Sequence, residues 1–130
     1  MKNKKVGTMI IPGDVNVWPH EYETAKVLVA NGFDVKFIRK SNRFREHSAD
    51  AFIDGEKWEF KSPTAKHTKT ILKNLKEAER QAEKVVLDSR RMKIVPDTAI
   101  LREVKKRIPE VQGLKNIKYI LKSGKIIDVK

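Results

Sequence analysis

Ala49-Asp50-Ala51-Phe52-Ile53-Asp54-Gly55-Glu56-Lys57-Trp58-Glu59-Phe60-Lys61 is the stretch whose reading decides the fold. Asp54-Gly55 is a strong two-residue hairpin signal, because a type I′ turn needs positive φ at both central positions and Asp-Gly tolerates it. With that pair as the loop, Ile53 faces Glu56, Phe52 faces Lys57, Ala51 faces Trp58 and Asp50 faces Glu59. Directly opposed residues have Cβ atoms about 4.5–5.5 Å apart, and two carboxylates that close repel unless a cation or a proton lies between them. Lys61 is two residues beyond Glu59 and points the same way, while Trp58 and Phe60 point to the other face. The hairpin thus presents either a metal site in outline or a set of surface ion pairs on a solvated sheet face.

Working outward, Trp18-Pro19-His20 opens a helix running to about Ala30, with Asn31-Gly32 as its stop. Before it, Lys5–Ile11 reads as a short strand ended by Pro12-Gly13. After it, Phe33, Val35 and Phe37 alternate as a strand, and Ser41–Ser48 is a basic loop. Beyond Ser62-Pro63, Ile71, Leu75, Ala78 and Ala82 recur at steps of four, three and four, so a core-facing helix is predicted from Lys66 to about Ala82. Val85–Leu87 reads as a buried strand, Pro96-Asp97 starts a helix to Arg107, and Ile117–Leu121 pairs with Ile126–Val129 across a Ser123-Gly124 turn. This order describes an α/β sandwich with a mixed central sheet, in one domain spanning residues 1–130.

Composition narrows the chemistry. Without cysteine, any metal takes oxygen or histidine ligands. No run of eighteen apolar residues occurs, so neither a membrane span nor a signal peptide is expected, and the reading is of a soluble protein. The net charge of +12 is uneven: residues 66–130 hold 18 Lys and Arg against 8 Asp and Glu. Such an excess most often neutralises phosphates of nucleic acid. Lys66, Lys69, Lys73, Lys76, Arg80 and Lys84 form a stripe opposite the apolar face of their helix, flanked by Glu77, Glu79 and Glu83 as surface partners. Arg43 and Arg45 form a second basic cluster with Arg39 and Lys40. Aromatic content of 7%, with Trp58 and Phe60 expected to be buried, argues against a base-stacking platform.

Hard divalent cations such as magnesium take one or two carboxylates plus water and substrate phosphate. Asp50 and Glu59 supply that set, with Lys61 contributing positive charge or proton transfer beside the phosphate. Glu21 precedes Ala25 by one turn and extends the inward face of the first helix, so it either joins the metal site or favours the helix N-terminus through the dipole. His20 stands beside it. His20, His47 and His67 have no zinc-ligand spacing.

The Glu21 helix, Ala49-Asp50, Glu59-Phe60-Lys61 and a following helix with Gln81 resemble the PD-(D/E)XK nuclease superfamily, whose core is a helix, three strands, a helix and a strand. More narrowly, the whole chain is similar to the C-terminal tRNA nuclease domains of CdiA-type contact-dependent growth inhibition toxins, through His20-Glu21, Asn31-Gly32-Phe33-Asp34-Val35 and Trp58-Glu59-Phe60-Lys61-Ser62. The resemblance implies that core here, followed by a C-terminal helix and hairpin. It implies a divalent metal, magnesium or alternatively manganese, on Asp50, Glu59, the Phe60 carbonyl and Glu21. It implies a catalytic Lys61, with His20, Ser62 and Gln81 as supporting polar residues. Ala49 stands where the motif has proline, a position that carries no chemistry. The activity implied is phosphodiester hydrolysis of tRNA in a target cell's cytoplasm, with an acidic immunity protein as partner. A DNA endonuclease of a mobile element or repair system, and a non-catalytic nucleic-acid-binding domain, are the other readings the residues allow.

Overall fold

The computed structural model describes residues 6–39 and 49–130. In chain order its elements are β1 (Met9–Ile10), α1 (Pro19–Ala30), β2 (Val35–Phe37), β3 (Ala51–Ile53), β4 (Glu56–Lys61), α2 (Ile71–Gln81), β5 (Lys84–Asp88), α3 (Asp97–Arg107), a short 3₁₀ turn (Ile108–Glu110), β6 (Asn116–Ile120) and β7 (Ile126–Asp128). The seven strands form one mixed sheet in sequence order. Strands β1 and β2, β4 and β5, and β5 and β6 are parallel; the other neighbours are antiparallel. A parallel pair needs a crossover, and the three crossovers carry α1, α2 and α3. The α/β sandwich with its mixed sheet is therefore as read from the sequence.

Asp54 at φ 48° and Gly55 at φ 87° give the left-handed turn that the hairpin requires. Its register is the expected one as far as the ladder runs: Ile53 with Glu56, Phe52 with Lys57 and Ala51 with Trp58. Alternation then divides the core. Ala25 and Leu28 of α1 pack with Val35, Phe37, Trp58 and Phe60 on one face of the sheet. Ile71, Leu75 and Ala78 of α2, with Ile100 and Val104 of α3, cover Val85, Leu87, Ile117 and Tyr119 on the other. Glu59 and Lys61 alternate with Trp58 and Phe60, so they belong to the α2 side.

One boundary differs. Helix α2 starts at Ile71, five residues later than its periodicity suggests. Pro63 and the threonines at 64, 68 and 70 disfavour helix, and Ile71 N–H turns back to the Thr68 carbonyl at 3.1 Å. Lys66 and Lys69 consequently precede the helix, and Lys84 lies on β5 beside Glu56, at 3.7 Å. The six-residue helical stripe is reduced to Lys73, Lys76 and Arg80. Among the described residues no helix is long and apolar enough to cross a membrane.

Candidate active site

Strand β3 ends one pair short of Asp50. Ala51 pairs with Trp58, yet the Asp50 N–H also donates to the Trp58 carbonyl at 3.1 Å. Two residues thus oppose one, the count of a β-bulge, a feature that re-aims side chains at functional sites. The expected direct opposition of Asp50 and Glu59 is replaced by a diagonal approach. Asp50 Oδ2 accepts the Phe60 N–H at 2.8 Å, which swings its carboxylate across β4 at the level of the Glu59–Lys61 segment. Exposure is 6% for Asp50 and 7% for Glu59, so this is not a solvated face; buried carboxylates are costly unless they are paired, hydrogen-bonded or metal-bound.

Lys61 Nζ lies 3.9 Å from Glu59 Oε2 and 3.4 Å from Glu77 Oε1. Glu77 is therefore more than a surface partner of the basic stripe: from α2 it reaches across to the ammonium and holds it at the edge of the sheet. A sequence cue exists, since Glu77 lies three residues after Asn74, which also reaches this region, and side chains at that spacing share a helix face.

Helix α1 closes the opposite side. Its Pro19 start places Glu21 in the first turn, where Oε1 accepts the Trp18 N–H at 3.3 Å. Glu21 thus caps the N-terminus of the helix and also lines the cleft. The cleft has a volume of about 300 Å³. It brings together His20, Glu21, Asp50, Glu59, Phe60, Lys61 and Ser62, all singled out from the sequence. Trp18, Pro63 and Asn74 complete its lining and were missed. Trp18 is 67% exposed and its ring stacks on His20 with centroids 6.4 Å apart. An exposed aromatic therefore stands at this cleft, while Trp58 and Phe60 are buried as expected. Burial pushes the His20 imidazole below its ordinary pKa; Arg91 adds to that and Asp50 opposes it.

Among the described residues no three His, Asp or Glu side chains gather as a ready-made ligand cage. Magnesium rarely uses one, since one or two carboxylates with water and substrate phosphate suffice. Asp50 and Glu59 are such a pair. An extended residue aims its N–H and carbonyl to the same side, so the Phe60 carbonyl shares the edge on which its N–H meets Asp50, where β3 has ended. Asp50, Glu59 and Phe60 line one cleft and carry oxygen donors of the kind a magnesium-like ion takes.

Lys69, Lys73, Lys76 and Arg80 line a shallow groove with Leu72 and Glu77. Glu77 thus borders the groove while contacting Lys61 of the cleft. Gln81 is not among the residues that line the cleft: it lies seven residues beyond Asn74, about 10 Å further along the helix axis. Lys66 is exposed ahead of α2, and Arg43 and Arg45 lie outside the described residues.

Residues 47–126 match the family model described as the contact-dependent growth inhibition CdiA C-terminal domain. No curated protein matches the chain. Among solved structures, the CdiA-CT/CdiI toxin and immunity complex from Burkholderia pseudomallei is similar, with a TM-score of 0.69 at 20% identity, covering 92% of this chain and 98% of that one. At that identity the likeness establishes a shared fold. The family match spans more than half of the sequence and includes the whole hairpin, and on that ground the chain belongs to the family of contact-dependent growth inhibition CdiA C-terminal domains.

Proposed function

We propose that this chain is a metal-dependent endonuclease of the PD-(D/E)XK type, acting as a toxin that hydrolyses phosphodiester bonds of tRNA. The observation that carries this reading is the convergence of Asp50, Glu59, Lys61 and Glu21 on one cleft from three separate elements. A divalent ion held by Asp50, Glu59 and the Phe60 carbonyl would supply Lewis-acid charge and a more acidic water. Lys61 donates to a non-bridging oxygen of the scissile phosphate, where negative charge grows as the water oxygen bonds to phosphorus and the bond to the leaving oxygen breaks. Glu77 holds Lys61 Nζ for that contact. Glu21, on the opposite wall, orients the attacking water. No side-chain nucleophile is required.

The substrate reading draws on family membership and on the groove of Lys69, Lys73, Lys76 and Arg80, which would carry phosphates away from the cleft along α2. The Burkholderia relative is a toxin with its immunity protein; by extension an acidic immunity protein would cover the positive surface of this one, with fast, electrostatically steered association. The site of action is then the cytoplasm of a target cell.

Total tRNA and duplex DNA, incubated separately with magnesium or with EDTA, test the reading. The expected result is magnesium-dependent cleavage of tRNA, lowered at least about a hundredfold in Asp50→Asn and in Lys61→Met. Cleavage that survives EDTA sinks the metal assignment, cleavage of DNA in preference to tRNA sinks the substrate assignment, and binding of tRNA without cleavage returns the chain to a non-catalytic binding domain.

A further inference from the structure

A second cavity of about 520 Å³ adjoins the cleft, lined by Pro19, His20, Glu23, Asp88, Arg90 and Arg91. It shares His20 with the cleft. Arg91 binds it further to the cleft, since its Nη1 donates to the Ser62 carbonyl at 3.0 Å and to Ser62 Oγ at 3.3 Å. Asp88 ends β5 and Lys61 ends β4, and these strands are parallel neighbours. The two hollows therefore lie side by side outside the carboxyl ends of adjacent strands, where open α/β sheets bind ligands.

The chemistry of the second cavity differs from that of the basic groove. Arg90 is locked: Nε donates to Asp88 Oδ1 at 2.9 Å, Nη2 donates to Asp88 Oδ2 at 2.8 Å and to the Glu23 carbonyl at 3.0 Å, and Thr24 Oγ1 donates to Asp88 Oδ2 at 2.7 Å. A two-point fork fixes the guanidinium plane and neutralises its charge. Among the remaining lining residues Glu23 and Arg91 carry opposite charges, and Lys26 Nζ on the helix surface lies 3.7 Å from Glu23 Oε1. A site without net charge is poorly suited to phosphate and well suited to a neutral planar ring. A fixed guanidinium face, the His20 ring and the Pro19 ring are surfaces on which a nucleobase stacks. Glu23 adds a carboxylate acceptor and Arg91 a guanidinium donor, the pair that matches the N–H and amino donors and the O6 and N7 acceptors of guanine.

We infer that this cavity is a base-binding subsite, selecting a guanine adjacent to the bond whose phosphate lies at Lys61. This rests on the nuclease reading above, but the base contacts can be measured without catalysis. The experiment titrates the full chain with guanosine, adenosine, cytidine and uridine, which carry no phosphate, and follows the amide resonances of Glu23, Asp88, Arg90 and Arg91. The expected result is saturable shifts at these four amides, strongest for guanosine. Glu23→Trp, which fills the cavity from an exposed helix position and leaves the Arg90 clamp in place, should abolish them. Glu23→Gln should erode the preference for guanosine.

If the wild-type chain also cuts RNA, Glu23→Trp should slow cleavage about ten- to a hundredfold, the range expected for loss of one stacked base, and cuts should cluster beside guanines. No saturable shift with any nucleoside, or shifts unaffected by Glu23→Trp, overturns the subsite, and a different order of preference overturns the guanine assignment. Magnesium-dependent cleavage without nucleoside binding would defeat this inference and leave the nuclease standing. Nucleoside binding without cleavage would do the reverse.

Discussion

Asp50 Oδ2 accepts the Phe60 backbone N–H at 2.8 Å, a hydrogen bond that ties a bulged residue to the middle of the Glu59-Phe60-Lys61 motif in the candidate site. An asparagine can still accept that N–H, whereas alanine cannot. Asp50→Asn is therefore expected to keep the wild-type melting temperature within a few degrees while lowering cleavage by at least about a hundredfold. Asp50→Ala should lose the same activity and in addition about 1–3 kcal/mol of stability, because a buried N–H loses its acceptor. Chemical denaturation of both variants beside a cleavage assay checks this; equal stability losses would mean that the hydrogen bond is not what holds the bulge.

Lys61 and Glu77 should separate in their kinetics. Lys61→Met removes the charge proposed to meet the phosphate and is expected to lower kcat by about 10²–10³. Glu77 contacts Lys61 Nζ at 3.4 Å and is a positioning residue. Glu77→Gln keeps a hydrogen-bond acceptor and should lower kcat by less than about tenfold, with KM unchanged, because its neighbour rather than the substrate feels the change. A rise in KM with kcat intact would instead place Glu77 among the groups that contact the substrate backbone.

The turn chemistry of Asp54-Gly55 made the hairpin legible, and alternation from it placed Glu59 and Lys61 together. The bulge at Asp50 was not legible, since it violates the period-2 rule and follows from where β3 stops pairing. Glu77 was obscured by local helical logic: it has basic neighbours at helix spacing, yet its tertiary partner comes from β4. Trp18 was legible only as the residue that opens α1, since nothing local ties its ring to a cleft formed by β4 and α2 residues distant in sequence. The Asp88–Arg90 clamp lies within two residues in sequence, but its purpose appears only when Thr24 and the Glu23 carbonyl arrive from α1. The late start of α2 reflects threonine chemistry that outweighs an apolar period.

The clamp also gives an acid-stability prediction. Burial pushes the Asp88 carboxyl up, but hydrogen bonds from Arg90 and Thr24 outweigh it, and the net shift is downward. A carboxyl depressed in the folded state stabilises the fold above its unfolded pKa, about 3.9, and that contribution is lost as pH falls through the folded value. Stability should therefore decline below about pH 4, and Asp88→Asn should flatten that decline while costing about 3 kcal/mol at neutral pH through disruption of a buried pair. Urea denaturation from pH 7 to pH 2 measures both; an unchanged acid slope in the variant would show that other carboxyls govern it.

Tyr119 predicts the opposite limb. Its hydroxyl donates to Asp97 Oδ1 at 2.6 Å, and burial, with Asp97 adding to it, raises the phenol well above its ordinary pKa. A raised group contributes stability that is complete below the unfolded pKa, about 10, and lost as pH climbs toward the folded value. Tyr119→Phe should lose about 1 kcal/mol near pH 7 and show a shallower fall in melting temperature above about pH 10. Parallel alkaline curves for the two proteins would exclude Tyr119 as the source.

The basic groove should act on affinity and its salt dependence, with chemistry left alone. Each phosphate contact removed lowers the slope of log affinity against log salt by about 0.7–0.9. Lys73 and Lys76 are both exposed on α2 and line the groove, and neither lines the cleft. Lys73→Ala combined with Lys76→Ala should reduce the slope for tRNA by about 1.5 and weaken binding of all tRNAs alike, while single-turnover cleavage at saturating protein stays at the wild-type rate. Measuring the binding slope in an Asp50→Asn background keeps the substrate intact. An unchanged slope would remove the groove from the nucleic-acid path.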